Sequence, residues 1–333
     1  MKKNLLPKTQ YFKANLHTHT TISDGKLSPE EIKQAYKDKG YQILVLTDHN
    51  VIVDHSDMTE SDFLMLTGME VNINNPNYQS WSDGKTYHFN LIAKQHDNLW
   101  TPGRVPEKKA DTEYAKKMRC EEMELCYETE SVNAMIQKAN EVGFLVMYNH
   151  PTWSCQSYPD YAPLKGLWAM ELRNSECCEL GNNENNVRVW KDILNLGNRL
   201  YPTGTDDTHS PRAIGGSWIM VGADSLNYGS VINALEKGDF YMSCGPEISG
   251  LSIEDGILKV SCSDAKQIIV ECQGTFARRA AADEKGWIRE AEFDLKDFIS
   301  KANGDPGVYV HLTVTAPDGT YAATRGYYLN ELE

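Results

Sequence analysis

The sequence predicts an α/β domain of barrel type followed by a small all-β domain. Short apolar runs alternate with helical segments along most of the chain, and polar side chains follow most of these runs. In α/β barrels, active sites lie at the carboxyl ends of the strands. After Ser243 the pattern changes to short alternating runs separated by Gly, Asp and Pro, which is typical of an antiparallel sandwich. We therefore predict an α/β barrel-type domain at residues 1–243 and a small β-sandwich-like domain at residues 244–333.

The first predicted helix has complete start and stop signals. Ser28 and Glu31 have the spacing of a capping box, with Pro29 at the first helical position and Gly40 after the last turn. The run Ile43–Leu46 that follows is apolar throughout, as expected of a parallel strand buried on both faces.

The other elements of the first domain follow the same alternation. The predicted strands are 15–19, 63–67, 87–92, 144–148, 167–172 and 218–221, and the predicted helices are 131–141, 184–196 and 230–237. Residues 95–128 interrupt the pattern, and we predict a loop and a surface helix there, laid over the mouth of the domain.

Composition limits the function classes. The chain has 333 residues, and 47 acidic against 33 basic residues give a formal charge of −14. Binding of long nucleic acid needs clustered Lys and Arg, so we expect none. No apolar run is long enough for a membrane span, and no secretory signal is evident. Eight cysteines without a CxxC pair predict free thiols in the cytoplasm. The oligomeric state stays open.

Nine polar side chains lie at or just after predicted strands, and they are of the types that bind metals. His17 and His19 are two residues apart on an extended segment, so both imidazoles point to one face. Imidazole nitrogens and carboxylate oxygens together suit divalent transition metals. The candidate ligands are His17, His19, Asp24, His49, Glu70, His88, His150, Asp207 and His209. His55, His96 and His311 lack this context, and we expect solvated or structural roles for them.

The order of these motifs resembles the polymerase and histidinol phosphatase (PHP) family. The matching residues are Asn15-Leu16-His17-Thr18-His19 with Asp24, Thr47-Asp48-His49, Glu70, His88, Asn149-His150-Pro151 and Asp207-Thr208-His209. The resemblance implies a distorted seven-stranded (β/α) barrel that hydrolyses phosphoesters with three divalent metal ions, which are zinc, iron or manganese.

The resemblance also implies how the ligands are shared among three metals. The first metal would have His17, His19, Glu70 and Asp207; the second Glu70 as a bridge with His88 and His150; the third Asp24, His49 and His209. Several relatives have His in place of Asp24, so the identity of the third metal stays open.

Other residues near these motifs have several interpretations. Asp206 and Asp207 both stand where an Asp ligand is expected, and the spacing favours Asp207. Asp48 would orient an imidazole beside it. Arg173, which follows a predicted strand, and Arg212 are candidates for binding a substrate phosphate. An alternative explains both positions equally well: each is an ordinary surface arginine that pairs with a nearby acidic residue.

The charge of such a cluster favours phosphate chemistry. Three divalent ions bring +6 and three carboxylates −3, which leaves about +3 to attract a phosphate dianion. Bound water ionises near pH ~7, so a metal-bridging hydroxide is the expected nucleophile. We predict a metal-dependent phosphoesterase of small phosphorylated metabolites or short nucleotides, with Glu70, Asp207 and His209 as catalytic residues. Two alternatives stay open: a trinuclear hydrolase of an amide-type bond, and a non-catalytic binding protein.

Overall fold

The computed structural model describes residues 2–6, 10–76, 84–283 and 286–332. The strands are β1 (Lys3–Asn4), β2 (Tyr11–Asn15), β3 (Ile43–Leu46), β4 (Leu64–Asn74), β5 (Thr86–Ala93), β6 (Trp100–Pro102), β7 (Arg119–Glu121), β8 (Phe144–Tyr148), β9 (Ala169–Asn174), β10 (Tyr201–Thr205), β11 (Trp218–Gly222), β12 (Phe240–Ser243), β13 (Ile248–Glu254), β14 (Ile257–Ala265), β15 (Gln267–Cys272), β16 (Ala277–Ala281), β17 (Ile288–Asp294), β18 (Tyr309–Thr315), β19 (Tyr321–Thr324) and β20 (Tyr327–Tyr328). The α-helices are α1 (Pro29–Asp38), α2 (Glu113–Lys117), α3 (Thr129–Glu141), α4 (Tyr158–Tyr161), α5 (Ser175–Glu179), α6 (Val187–Asn195), α7 (Tyr228–Lys237), α8 (Lys296–Ala302) and α9 (Leu329–Leu332).

The helix α1 begins with the predicted capping box. The Glu31 amide donates to Ser28 Oγ at 3.2 Å, and the Ser28 amide donates to Glu31 Oε2 at 2.8 Å. Pro29 occupies the first helical position, where its missing N–H is not needed. These contacts set the direction in which the chain leaves the loop before α1, and that loop carries Asp24.

The strand β3 is buried on both faces, as its apolar sequence predicts. Ile43 and Val45 belong to the main apolar core, together with residues of α3, α6 and α7. Leu44 and Leu46 lie on the other face, where α1 packs. The sheet of the first domain therefore lies between helical layers, which is the layering of an α/β protein.

One large sheet has the strand order β10-β9-β8-β5-β4-β3-β2-β11-β12-β19-β18-β15-β16. The strands β2, β3 and β4 are parallel, and so are β8, β9 and β10. In contrast, β5 is antiparallel to both of its neighbours, and β11 is antiparallel to β2. The predicted α/β class is confirmed, but these mixed directions differ from a regular (β/α)7 barrel.

The predicted closure of the barrel is also not seen. Within the described residues, no backbone ladder joins β10 to β11. Instead, Ser217 Oγ donates to Thr205 O at 2.6 Å, and the Ser217 amide donates to Asp206 Oδ1 at 2.9 Å. Gly204 makes this approach feasible, because a Cβ there would lie 3.0 Å from Trp218 O. Side-chain contacts thus bring β10 against the start of β11 without a continuous ladder.

Two predicted elements differ from the structure in ways that affect the site. The first strand ends at Asn15, so His17 and His19 follow the strand rather than lie within it. The segment 95–128 contains β6, α2 and β7, and it packs on the core through Trp100, whose ring lies 5.8 Å from that of Phe144. This contact anchors one end of the segment to the core of the domain.

The C-terminal region is rich in β-structure, as predicted. A second sheet has the order β1-β13-β14-β17, and its Leu251 and Val260 share one apolar core with Ile268 and Leu312 of the large sheet. The strand β1 belongs to this second sheet and pairs antiparallel with β13. The domain boundary near residue 243 stays a prediction.

Two further observations concern the cysteines and the helices. All eight cysteines lie within the described ranges and are free thiols. Among the described residues, no helix has the length and apolar character needed to cross a bilayer.

The buried imidazole of His311 generates a prediction about stability. Its side chain is 3% exposed, and burial lowers the pKa of His311 to about 4, although Glu271 opposes the shift. Between pH 4 and 6.5 the unfolded chain binds more protons than the native one, so the free energy of unfolding should rise with pH in this window. The contribution is about 3 kcal/mol.

Urea denaturation of the wild type and of His311→Gln across this window measures that contribution. The wild-type curve should rise more steeply with pH than the variant's, because glutamine does not titrate. Parallel curves for the two proteins would contradict a buried neutral His311.

Candidate metal centre

The nine predicted ligands converge at one end of the large sheet. They come from the residues after β2, β3, β8 and β10, from β4 and β5, and from the loop before α1. They form four groups whose donor atoms lie within 4.8 Å of one another: His19, Asp24, His49 and His209; His17, His150 and Asp207; His17, His19 and Glu70; and His49, Glu70 and His88.

The deepest part of the cluster contains two imidazoles and two carboxylates. The Nε2 atoms of His17 and His19 are 3.2 Å apart, and each lies 3.1 Å from Asp207 Oδ1. Glu70 Oε1 lies 3.1 Å from His17 Nε2, and Glu70 Oε2 lies 3.4 Å from His19 Nε2. Each of these side chains is less than a tenth exposed. Five donor atoms of four side chains therefore face one another away from solvent.

Glu70 also contacts three further imidazoles. His88 Nδ1 lies 3.0 Å and His150 Nε2 3.3 Å from Glu70 Oε1, while His49 Nδ1 lies 3.0 Å from Glu70 Oε2. His150 Nε2 is also 3.8 Å from Asp207 Oδ2. Glu70 is thus the carboxylate that the separate donor groups share.

Asp24 forms the solvent side of the cluster. Its carboxylate is 51% exposed and lies 3.5 Å from His19 Nδ1, His49 Nε2 and His209 Nε2. The turn that carries it lies directly on the backbone of His19. A Cβ on Gly25 would be 2.4 Å from His19 O, so only glycine fits beside Asp24.

The donor set fits divalent metal ions. Glu70 Oε2, Asp207 Oδ1 and His49 Nδ1 are buried atoms with no hydrogen-bond partner in the described structure. Unpaired buried polar atoms are rare and costly in folded proteins. Here they point at other unpaired nitrogen and oxygen donors, and a cation between them would satisfy all of them. Mixed imidazole and carboxylate donors suit zinc, iron and manganese.

Neighbouring polar groups fix the orientation of the imidazoles. His17 Nδ1 donates to Glu171 Oε1 at 2.6 Å, and His209 Nδ1 donates to the Asp207 carbonyl at 2.9 Å. His150 Nδ1 lies 3.2 Å from Ser154 Oγ. With Nδ1 occupied in this way, Nε2 is left to face the cluster, as is usual for metal-bound histidines.

Glu171 is a site residue that the sequence pattern did not single out. Its carboxylate is fully buried and accepts four hydrogen bonds, from His17 Nδ1, the His150 amide, Asn174 Nδ2 and Thr205 Oγ1. Glu171 thereby connects the residues after β2 and β8 with β9 and β10. A lone Glu in the otherwise apolar start of β9 is the one sequence signal for it.

Two asparagines hold the carboxylates in place and were also missed as site residues. Asn149 Nδ2 donates to Glu70 Oε1 at 2.7 Å, and Asn174 Nδ2 donates to Asp207 Oδ2 at 3.0 Å. Asn149 immediately precedes His150 in the quoted motif. Asn174 has no comparable signal, since it is a strand-end asparagine like many others.

The structure separates the roles of Asp206 and Asp207. Asp206 accepts hydrogen bonds from the amides of Gly215, Gly216 and Ser217, each at 2.9 Å. Its carboxylate is therefore committed to the loop before β11. Asp207 points at the imidazoles, as the spacing predicted.

The Asp48 carboxylate forms no direct hydrogen bond with an imidazole in the described structure, but the Ser23 hydroxyl that it binds lies 3.4 Å from His19 Nδ1. Its carboxylate accepts from the amide and hydroxyl of Thr20 and from the amide and hydroxyl of Ser23, at 2.7–3.0 Å. The carboxylate is fully used in fixing the loop that leads to Asp24. Asp48 therefore acts on the site through this loop.

Electrostatics in the cluster favour exchange of protons for cations. Burial lowers the pKa of His19, but hydrogen bonds with Asp207 and Glu70 raise it overall to about 10. Burial also opposes the shift at His150, where Glu70 and Asp207 raise the pKa to about 8. Burial favours neutral carboxyls, yet the imidazoles hold the pKa values of Glu70 and Asp207 well below their usual range. Without metal, protons bound to the imidazoles therefore balance the negative charge of the carboxylates. Metal binding would displace these protons.

Two candidate ligands have a strained backbone. The φ angles of His150 and Asp207 are 25° and 52°, in the left-handed region that side chains rarely adopt. Such conformations persist where the surrounding contacts fix them, and they cluster at functional sites. The Glu171 and Asn174 hydrogen bonds described above supply these contacts.

A cavity of about 330 Å³ opens over the cluster. Its walls beyond the candidate ligands are Trp153, Glu176, Cys177 and Leu180. The Trp153 side chain is 40% exposed, and its ring meets those of His88 and His150 at centroid distances of 5.7 and 5.0 Å. No residue of the segment 95–128 lines this cavity within the described structure. Burial lowers the pKa of Lys109 in this segment, while the carboxylates of Asp48 and Asp24 oppose the shift, so the segment comes near the edge of the cluster. Its position over the mouth of the domain stays a prediction.

The two candidate arginines do not line the cavity. Arg173 belongs to β9 beside a register shift, and its charge acts on Cys244 and Tyr321 of the C-terminal region. Arg212 is exposed near Glu176, at the edge of the cavity. Their proposed role in binding phosphate stays a prediction, and Arg212 has the more suitable position.

Replacing Glu171 by Gln tests whether metal affinity depends on the partner of His17. Glutamine has no charge, and its N–H₂ group cannot accept the hydrogen bonds that the Glu171 carboxylate accepts from four donors. We expect metal affinity to fall by about 10–100-fold with all nine ligands intact. Competition with a chelator for zinc measures this affinity. The control is Glu184→Gln, a second buried carboxylate, which holds the amides of Thr152 and Trp153 but touches no imidazole. Equal losses in both variants would contradict a specific role for Glu171.

Comparison with known proteins places this geometry in context. No curated protein matches the chain. Among solved structures, it is similar to a two-domain protein containing a predicted PHP-like metal-dependent phosphoesterase from Bacteroides vulgatus (15% identity, 98% of this chain and 97% of that chain, TM-score 0.41). It is also similar to an amidohydrolase from Chromobacterium violaceum (14%, 68% and 96%, TM-score 0.38) and to a lesion-specific endonuclease from Pyrococcus furiosus (12%, 68% and 56%, TM-score 0.38).

All three TM-scores are below 0.5, so we infer neither mechanism nor substrate from these structures. The sequence match is more specific: residues 15–101 match the PHP domain family. This range includes His17, His19, His49, Glu70 and His88. We conclude that residues 15–101 belong to the PHP domain family, which confirms the resemblance drawn from their motifs.

Proposed function

We propose that the protein is a metal-dependent phosphoesterase that hydrolyses a small phosphorylated metabolite or a short nucleotide. The observation that carries this proposal is the convergence of nine nitrogen and oxygen donor residues, seven of which line a cavity of about 330 Å³ while His17 and His19 lie behind them. Three divalent ions, of zinc, iron or manganese, are proposed as the cofactors. The family match at residues 15–101 supports the same reaction class.

Charge is the reason for choosing phosphate as the reacting group. Ions held by these ligands would carry +6 against −3 from Asp24, Glu70 and Asp207, which leaves about +3 in a partly closed cavity. When bound, such ions lower the pKa of water to about 7 and stabilise negative charge on attacking and leaving oxygens.

The residues of the chain contribute position and orientation. Glu70 contacts donors of several groups and is proposed to bridge two ions, while Asn149 fixes one of its oxygens. Asp207, oriented by Asn174, completes the deepest group. His209 is 32% exposed, and its Nε2 faces the cavity beside Asp24. We propose Glu70, Asp207 and His209 as the catalytic residues.

The size and walls of the cavity favour a small substrate. Its volume lies near the lower end of the roughly 300–1,000 Å³ range of small-molecule sites. Within the described structure no Lys or Arg lines it. The formal charge of −14 also disfavours binding of a long polyanion. Trp153 and Leu180 offer an apolar wall for the part of the substrate that carries the phosphate.

A panel of phosphomonoesters, phosphodiesters and amides, assayed with metal-loaded protein, tests this proposal. We expect hydrolysis of small phosphoesters, a loss of activity on chelation and recovery on adding metal. Glu70→Gln should reduce turnover by orders of magnitude, because it removes charge shared by several donor groups. Glu60→Gln, at an exposed carboxylate remote from the cluster, is the matched control and should keep full activity.

Two outcomes would contradict the proposal. Amide hydrolysis without phosphoester hydrolysis would overturn the reaction class. Rapid degradation of long single strands at physiological salt would overturn the small substrate, since binding driven by phosphate contacts weakens steeply with salt.

A further inference from the structure

A second cavity, of about 270 Å³, lies between the first domain and the C-terminal sheet. Its floor is one face of the strands β15, β18 and β19, and its wall is formed by residues of β9, α6 and the chain between them. It shares no lining residue with the cavity over the metal ligands. Any function of this cavity is therefore independent of the function proposed above.

The floor of the second cavity is polar in a regular pattern. In β15 and β18 the residues Ile268, Val270 and Leu312 face the C-terminal core, so their neighbours face the cavity. Between β15 and β18, the register pairs Gln267 with Thr315, Ile269 with Thr313 and Glu271 with His311. Between β18 and β19, it pairs Thr315 with Tyr321. Such a face normally meets solvent. Here residues of the first domain lie opposite it, which leaves His311 buried and the other residues of these pairs half-buried.

Several polar groups of this floor have no partner in the protein. His311 is 3% exposed, yet neither ring nitrogen forms a hydrogen bond in the described structure. Its Nε2 lies 3.5 Å from Glu271 Oε2. The half-buried side chains of Thr313 and Thr315 line the same cavity and add two hydroxyl groups to the row. Buried polar groups are normally satisfied, so this row is complementary to hydrogen-bonding groups from outside the chain.

The charge in the second cavity is balanced. Glu271 is the acidic group of the floor, and Lys191 Nζ lies 2.6 Å from its Oε1. Burial keeps His311 neutral at physiological pH, so one ring nitrogen donates and the other accepts. The site therefore favours neither anions nor cations, and it offers both donors and acceptors.

The wall opposite the polar row is apolar. Leu172, Val187 and Trp190 lie there, and the Trp190 ring meets His311 edge-on at 5.0 Å. Tyr321 closes one side, where its hydroxyl donates to Asn185 Oδ1 at 2.9 Å. A ligand that fits must present hydroxyl groups to the row and C–H groups to the wall.

We propose that this cavity binds a neutral, polyhydroxylated molecule of monosaccharide size. The row of hydroxyl, amide and imidazole groups matches several hydroxyls, and the apolar wall matches the C–H face of a sugar or cyclitol ring. The volume is below the roughly 300–1,000 Å³ range of drug-sized ligands, which limits the ligand to about one ring.

The test is titration of the full-length protein with D-glucose, D-galactose, D-mannose and myo-inositol. Saturation-transfer NMR detects binding, and isothermal calorimetry measures Kd. We expect at least one probe to bind with a Kd of about 1 mM or lower. Thr313→Val keeps the shape of the side chain but removes the hydroxyl, and it should weaken binding about tenfold. Thr313→Ser keeps the hydroxyl and should bind within about threefold of the wild type.

Thr315→Val is the second variant, should Thr313→Val fail to fold. Both threonines lie outside the metal cluster, so phosphoesterase activity should be unchanged in either variant. Absence of binding by all four probes would overturn the proposal. Binding that is equally tight in the wild type and in the valine variants would overturn it as well, because the probe would then occupy another place.

Discussion

The buried carboxylate of Glu70 is the group on which the architecture of the site depends. It is 1% exposed, and the imidazoles of His17, His49 and His88 lie within 3.1 Å of its two oxygens. A carboxylate taken out of water is costly unless positive charge or hydrogen-bond donors compensate it. The loops after β2, β3 and β8 are held in positions that supply this compensation. Asp48 accepts hydrogen bonds from the loop after β2, and Glu171 accepts one from the His150 amide, which explains how a strained residue such as His150 persists.

The local elements were predictable because they follow from patterns along the chain. The capping box at Ser28 and the apolar run of β3 each specify an element without reference to distant residues. Strand direction and partner are different, since they depend on contacts that periodicity does not encode. The antiparallel placement of β5, the pairing of β1 with β13 and the open edge between β10 and β11 are of this kind.

The residues of the site likewise fall into those that the sequence predicts and those that only the structure reveals. All nine candidate ligands come together, because ligand-type residues after strands are recognisable in sequence and the strand ends meet in space. Glu171 was missed because a strand glutamate has no visible partner until the fold brings His17 beside it. Arg173 was a candidate because it follows a predicted strand, but β9 extends to Asn174, and Arg173 within it does not line the cavity. Partner groups thus require the tertiary structure, whereas metal-type donors do not.

The central claim is that the nine donors form one polynuclear metal centre. Anomalous X-ray scattering from crystals of metal-loaded protein, measured at the absorption edges of zinc, iron and manganese, tests this most directly. The account predicts separate anomalous peaks among these side chains, with Glu70 contacting more than one of them. Peaks confined to other parts of the surface, or a loaded protein in which the histidines and Glu70 keep only protein contacts, would contradict it.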